Sequence, residues 1–164
     1  VALITETGAG LPDAESYCTV AYADQYHEQR ANTSWSGLET LQKEAYLRRA
    51  TEYMLAIYRL RWKGARVTAS QGLDWPRVDV KVADFIVAED SVPAEVQKAC
   101  AILALKATRG ELDPDPTQAV KRTKVDVIEK EYFEPTSTKR HKVVDDLLEP
   151  FLAGSTMNVK LVRA

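Results

Sequence analysis

Between Arg61 and Val92 the chain loses the helical spacing of apolar residues that it keeps on either side. Unstructured connections beyond about 12–15 residues are uncommon in compact domains and often carry function. Any fold for this sequence must therefore pin a long irregular segment against a helical body. The segment opens inside a basic, aromatic run, YRLRWKGARVTAS, and continues into QGLDWPR, residues 71–77. Pro76 fixes its own φ and pushes Trp75 toward an extended conformation. Gly72 allows a tight turn, and Leu73 and Trp75, two residues apart, can face one side. We expect that side to pack over the end of the preceding helix near Trp62, so that QGLDWPR clasps the long loop. Arg77 is expected to stay exposed, as a candidate partner contact. VADFIVAED, later in the segment, reads as a short strand or turn.

The flanking stretches predict four helices. Ser16 or Thr19 can cap the first, which runs to about Arg30 with Val20, Ala23, Tyr26 and neighbouring Tyr22 as its apolar stripe. Ser36, with Glu39 three residues on, has the form of a capping box for a second helix from about Gly37 to Leu60. Leu38, Leu41, Ala45, Ala50, Met54, Ile57 and Tyr58 form its expected buried stripe. Pro93 suits the first position of a third helix reaching about Arg109, where Gly110 stops it in the left-handed conformation. Its stripe is Val96, Ala99, Cys100, Leu103 and Ala107, widened by Ile102. Val143, Val144, Leu147, Leu148, Phe151 and Leu152 define the fourth, bent or ended by Pro150.

After the two-proline turn ELDPDPTQ the period changes. Two strands are expected at about 119–125 and 127–134, paired through a tight turn near Asp126. VKLVRA reads as a short strand or extended tail. The predicted fold is one α+β domain, mainly α. It is a four-helix assembly with a β-hairpin and an extended C-terminal strand or tail. The helical core covers about 16–110 and 140–153, the hairpin about 119–134 and the tail 154–164. A chain of 164 residues fits one domain with a substantial core.

Charge narrows the function. The formal net charge is −2, so the chain as a whole is no polyanion binder. The distribution is uneven: residues 1–58 balance at −4 and residues 59–81 at +4. Single-strand binders set aromatic platforms in a basic groove, and YRLRWKGAR has that flavour. Yet Tyr58 and Trp62 are four apart, as core residues at a helix end would be, and basic side chains often lay their stems over such residues. His27 and His141 lack partners at metal-ligand spacing. Cys18 and Cys100 form neither a zinc pattern nor a disulfide framework and are expected to be buried. The carboxylate pairs Asp145–Asp146 and Asp113/Asp115 read as solvated. No nucleophile, phosphate-binding or dinucleotide motif appears, so no enzyme, cofactor or metal is expected. The opening VALITETGAG lacks the features of a signal peptide, and no apolar run approaches the length of a membrane span.

Several stretches resemble one group of tailed-phage proteins. They are GAGLPDAESY, the tyrosine of ADQYH, RATEYM, RWKGARVTASQGLDWPR, VPAEVQKACAILAL, AVKRTKVDVIEKEY, LLEPFL and VKLVRA. The group is the head–tail connector, or adaptor, family, whose relatives often carry the label "putative DnaT-like single-stranded-DNA-binding protein". The most specific part is W-x-G…Q-x-L-x-W-P-R, here Trp62, Gly64, Gln71, Leu73, Trp75, Pro76 and Arg77. Asp126 stands where the resemblance leads us to expect glycine.

The resemblance implies a ring, typically of twelve copies, that docks beneath the portal protein after DNA packaging. Such a ring offers a platform to the stopper or tail-completion protein and lets genomic double-stranded DNA pass through its lumen. It implies a place in the virion neck after synthesis in the host cytoplasm, and no membrane. The expected contacts are the hairpin Val120–Phe133, through Val120, Arg122, Lys124, Asp126 and Ile128, and the tail, through Val159, Lys160, Leu161, Val162 and Arg163. Alternating side chains let that tail add to a partner's sheet edge, or pack on its own subunit. The competing function is single-stranded-DNA binding, which predicts affinity that falls steeply with salt.

Overall fold

A computed structural model describes residues 2–110, 112, 123–125, 128–130 and 141–154. The fold is α+β and mainly helical, as the periodicity predicts. Helix α1 spans Val20–Glu28, and Thr19 caps it by accepting from the Tyr22 amide at 3.1 Å. Helix α2 is one turn, Thr33–Ser36. Helix α3, Thr40–Tyr58, is the longest. Four two-residue strands follow: β1 (Ala65–Arg66), β2 (Arg77–Val78), β3 (Lys81–Val82) and β4 (Phe85–Ile86). Then come α4 (Ala94–Ala107), β5 (Thr123–Val125), β6 (Ile128–Lys130), α5 (Lys142–Leu148) and a 3₁₀ turn, Glu149–Phe151. The strands form three antiparallel pairs, β1 with β2, β3 with β4 and β5 with β6.

The centre is the α3–α4 pair. The two helices run antiparallel: Thr51 Oγ1 lies 3.5 Å from Cys100 Sγ, while Arg49 reaches the carbonyls of Ala107 and Gly110. Small residues on α4 (Ala99, Cys100, Ala101, Ala104, Ala107) let it approach the larger face of α3, where Leu47, Tyr53, Met54 and Tyr58 are buried. All five positions expected in the α4 stripe are buried. His27 of α1 and Trp35 of α2 cover one flank, and α5 covers another through Val144 and Leu148.

Three expectations are corrected. The capping box belongs to Glu39 and Gln42, not to Ser36, and α3 starts three residues late. The reason is Trp35: it is buried and its indole N–H donates to Asp24 Oδ1 at 2.7 Å, which makes 33–36 a separate turn. Leu41 is 73% exposed and Ala45 is exposed too, because at 100° per residue both fall on the face of α3 opposite the buried Leu47, Ala50, Met54 and Tyr58, while the Lys43 and Glu44 side chains beside them are largely covered. Val143 is exposed because the short α5 buries positions 144 and 148, and a neighbour 100° round the helix faces out.

The expected hairpin is present in its described part. Val125 pairs with Ile128, leaving a two-residue connection at 126–127. Asp126 and the tail 155–164 lie outside the described residues. Among the described helices none is long and apolar enough to cross a membrane.

Candidate interaction surface

The irregular segment is held by a set of specific bonds, and the W-x-G…Q-x-L-x-W-P-R residues make most of them. Trp62 meets the ring of Tyr58 at 5.8 Å and that of Trp75 edge-on at 5.7 Å; Trp75 in turn meets Phe151 edge-on at 5.7 Å. Leu73 and Trp75 are both buried, as their two-residue spacing predicts. Gln71 ties the loop from inside: its amide donates to the carbonyls of Leu73 and Pro76 and its Oε1 accepts from the Thr68 amide. Gly64 has φ +65°, and a Cβ there would collide with the Val78 carbonyl oxygen, so the motif's glycine sits where the chain folds back on β2.

Arg77 corrects the expectation of an exposed contact. It is 7% exposed. Its guanidinium donates to the carbonyls of Lys63 (2.7 Å), Gly64 (2.7 Å) and Asp74 (3.1 Å). The planar fork suits three converging acceptors. Burial lowers its pKa from the ordinary arginine value, and the nearby Asp74 charge opposes that shift.

Four other bases of the +4 segment also have partners, while Lys81 is exposed. Arg59 pairs with Asp74 at 3.1 Å, Arg61 lies 5.5 Å over the Tyr58 ring, and Arg66 donates to the carbonyls of Ala69 and Gln71. Lys63 Nζ bridges the carbonyls of Lys81 (3.1 Å) and Pro150 (2.8 Å). The basic, aromatic run thus braces the loop. Its three large rings, Tyr58, Trp62 and Trp75, are buried and offer no stacking face.

The clasp supports a projecting hairpin. Strands β3 and β4 pair with Val82 opposite Phe85 and Lys81 opposite Ile86. Ala83 and Asp84 make the turn, with φ +48° and +67°, the pair of left-handed conformations that a type I′ turn needs. Behind the turn, Val80 is buried and its carbonyl accepts from the Val87 amide at 2.9 Å. In front of it Phe85 is 78% and Ile86 70% exposed. Two adjacent large apolar residues held out on a braced turn are a candidate contact. The sequence offered one signal for them: FIV directly after an Ala-Asp dipeptide, between turn-forming acids.

Among the described residues, two further cavities bear on the site. One, about 400 Å³, is lined by Asp24, His27, Trp35 and Lys43 among others. Both His27 ring nitrogens are engaged there: Nε2 donates to the Ala101 carbonyl and Nδ1 accepts from the Asn32 amide, each at 3.0 Å, so the ring is neutral. Burial pulls its pKa below the ordinary value. The second cavity, about 540 Å³, lies between Arg61, Lys63, Asp145, Asp146, Glu149 and residues 152–154. Tyr58 donates to Asp145 there at 2.7 Å, and burial pushes its phenol well up. Among the described residues no His, Cys, Asp and Glu cluster could hold a metal ion. Cys18 and Cys100 are free and buried, as expected.

Of the remaining contact residues read from the sequence, Lys124 lies within β5 and Ile128 opens β6. Val120, Arg122, Asp126, Val159, Lys160, Leu161, Val162 and Arg163 lie outside the described residues. No curated protein and no solved structure matches the chain. Residues 1–164 match the family described as "Putative DnaT-like ssDNA binding protein", and the chain belongs to that family.

Proposed function

We propose that this chain is a non-enzymatic assembly protein, a head–tail adaptor that forms a ring in the neck of a tailed phage. The observation that carries this reading is the fate of the basic, aromatic segment. Its charges brace backbone carbonyls and its rings fill the core, while the β3–β4 hairpin holds Phe85 and Ile86 out in solvent. That distribution suits a building block that meets protein. The motif residues supporting the phage resemblance are the ones that build the clasp. On this reading the partners are further copies of the chain, the portal protein and the stopper or tail-completion protein, with double-stranded DNA passing through.

The test is electron microscopy of purified particles with this chain located in the map. Density for it at the neck supports the proposal; its absence from particles sinks it. The family's description favours a second reading, single-stranded-DNA binding. Fluorescence anisotropy with single-stranded oligonucleotides decides that one. Tight binding that weakens steeply between low and high salt supports it, and salt-insensitive or absent binding removes it.

A further inference from the structure

We propose that the outer edge of β4 is the docking site for the C-terminal tail, Val159–Ala164, of a second copy of this chain. The proposal deepens the ring reading and rests on it.

The edge follows from the register. Residues 80 and 87 form a hydrogen-bonded pair, shown by the Val87-to-Val80 bond. Hydrogen-bonded and non-bonded pairs alternate in an antiparallel ladder, so Lys81 and Ile86 form a non-bonded pair. Their N–H and C=O groups point away from each other, to the two edges. On the β3 edge the Lys81 carbonyl is taken by Lys63 Nζ. On the β4 edge, Ile86 presents its N–H and C=O outward beside two exposed apolar side chains. A strand edge of this kind pairs with an added strand.

The tail has the matching chemistry. VKLVRA alternates apolar and basic residues over a strand's length, and Lys160 and Arg163 carry positive charge. Around the hairpin, Asp79, Asp84, Glu89 and Asp90 are exposed, against two bases, Lys81 and, at the hairpin's base, Lys63. Main-chain pairing would supply affinity, Phe85 and Ile86 the apolar contact, and the acids the orientation.

The occupant is a neighbour because of how the chain leaves the fold. Lys63 N donates to the Phe151 carbonyl and Ala153 N to the Arg61 carbonyl. Residues 151–153 thus run from the Lys63 end of that segment toward Arg61. The hairpin sits at the Lys63 end. At Gly154 the chain is heading away from its own β4, and the five steps from Gly154 to Val159 span at most about 18 Å, part of which a reversal would use up.

The test uses a synthetic peptide of residues 155–164, labelled at its N-terminus, and the protein ending at Gly154. Anisotropy should show saturable binding, weakened at least tenfold by Ile86→Pro, which removes the outward N–H, and by Phe85→Asp. Far-UV circular dichroism and thermal melting show whether each variant is folded. A peptide with Lys160→Glu and Arg163→Glu should bind weakly to the parent and regain affinity with Asp84→Lys. Absent binding, or binding that Ile86→Pro and Phe85→Asp both leave unchanged, overturns the proposal. So does sedimentation showing the 164-residue chain monomeric at all concentrations with the tail protected from hydrogen exchange, since the tail would then sit on its own subunit. Particle microscopy is independent of all these outcomes, so a neck protein whose tail docks elsewhere would be recognised as such.

Discussion

Replacing Arg77 with alanine separates a buried brace from a binding residue. In the native fold its guanidinium serves three carbonyls, those of Lys63, Gly64 and Asp74. Hydrogen bonds to a charged donor contribute about 1.5–3 kcal/mol each. Three of them total about 4.5–9 kcal/mol before the cost of burying the charge in the wild type is returned. With that return, we expect a net loss of about 3–5 kcal/mol, typical of breaking a buried charged network. For a chain of this length each kcal/mol moves the melting temperature by about 2–4 °C, so the drop should be about 6–20 °C. Arg77→Lys should recover little, since one ammonium cannot meet three acceptors in a plane. Differential scanning calorimetry with urea melts gives both numbers. A variant that melts within a degree or two of the wild type, yet no longer binds a partner, would refute the brace and restore Arg77 to the surface role its sequence context suggests.

Trp75→Ala should cost about 3–5 kcal/mol, because a fully buried indole in contact with Trp62 and Phe151 leaves a large cavity; urea denaturation measures it. His27 is held neutral, its pKa lowered from 6.5 mainly by burial. Above pH 6.5 both states are unprotonated; as pH falls, the unfolded chain takes up the proton first and stability drops until the folded value is passed. Thermal melts between about pH 7 and pH 5 should therefore fall less steeply for His27→Gln than for wild type. Ala83→Gly should raise stability by about 0.5–1 kcal/mol, since a residue with a Cβ occupies a left-handed position there; an unchanged or lowered melting temperature would contradict the turn assignment.

Where sequence reading succeeded, local chemistry coincided with tertiary packing. The α4 stripe has a strong 3.6-residue period and all its positions are buried. Thr19 carries the capping oxygen that α1 needs, and Trp62 and Trp75 meet as the clasp requires. It failed where a distant partner decides. Leu41 and Ala45 failed on phase instead: they are apolar, but 100° per residue puts them on the side of α3 away from Ala50, Met54 and Tyr58. Arg77 looks like any surface arginine until the carbonyls of residues 63 and 64 are folded back onto it. Phe85 and Ile86 look like core residues in a strand, because nothing local states that no layer of the described residues lies above the hairpin.

Residues 151–153 finish the body by pairing with 61–63, and α5 joins α3 through the Tyr58–Asp145 bond, 87 positions apart in sequence. Contacts this distant form late, after the loop between them has been closed. A nascent chain emerging from the ribosome can assemble α1 to α4 early, but Trp75 gains Phe151 only after residue 151 has been made. The same step delivers the Pro150 carbonyl to Lys63, whose ammonium also grips Lys81 at the base of the hairpin. A chain that stops short of residue 150 therefore lacks the support that sets the hairpin's pose. On the ring reading proposed above, the order of synthesis would then withhold a docking-ready hairpin until residues 150–151 are in place.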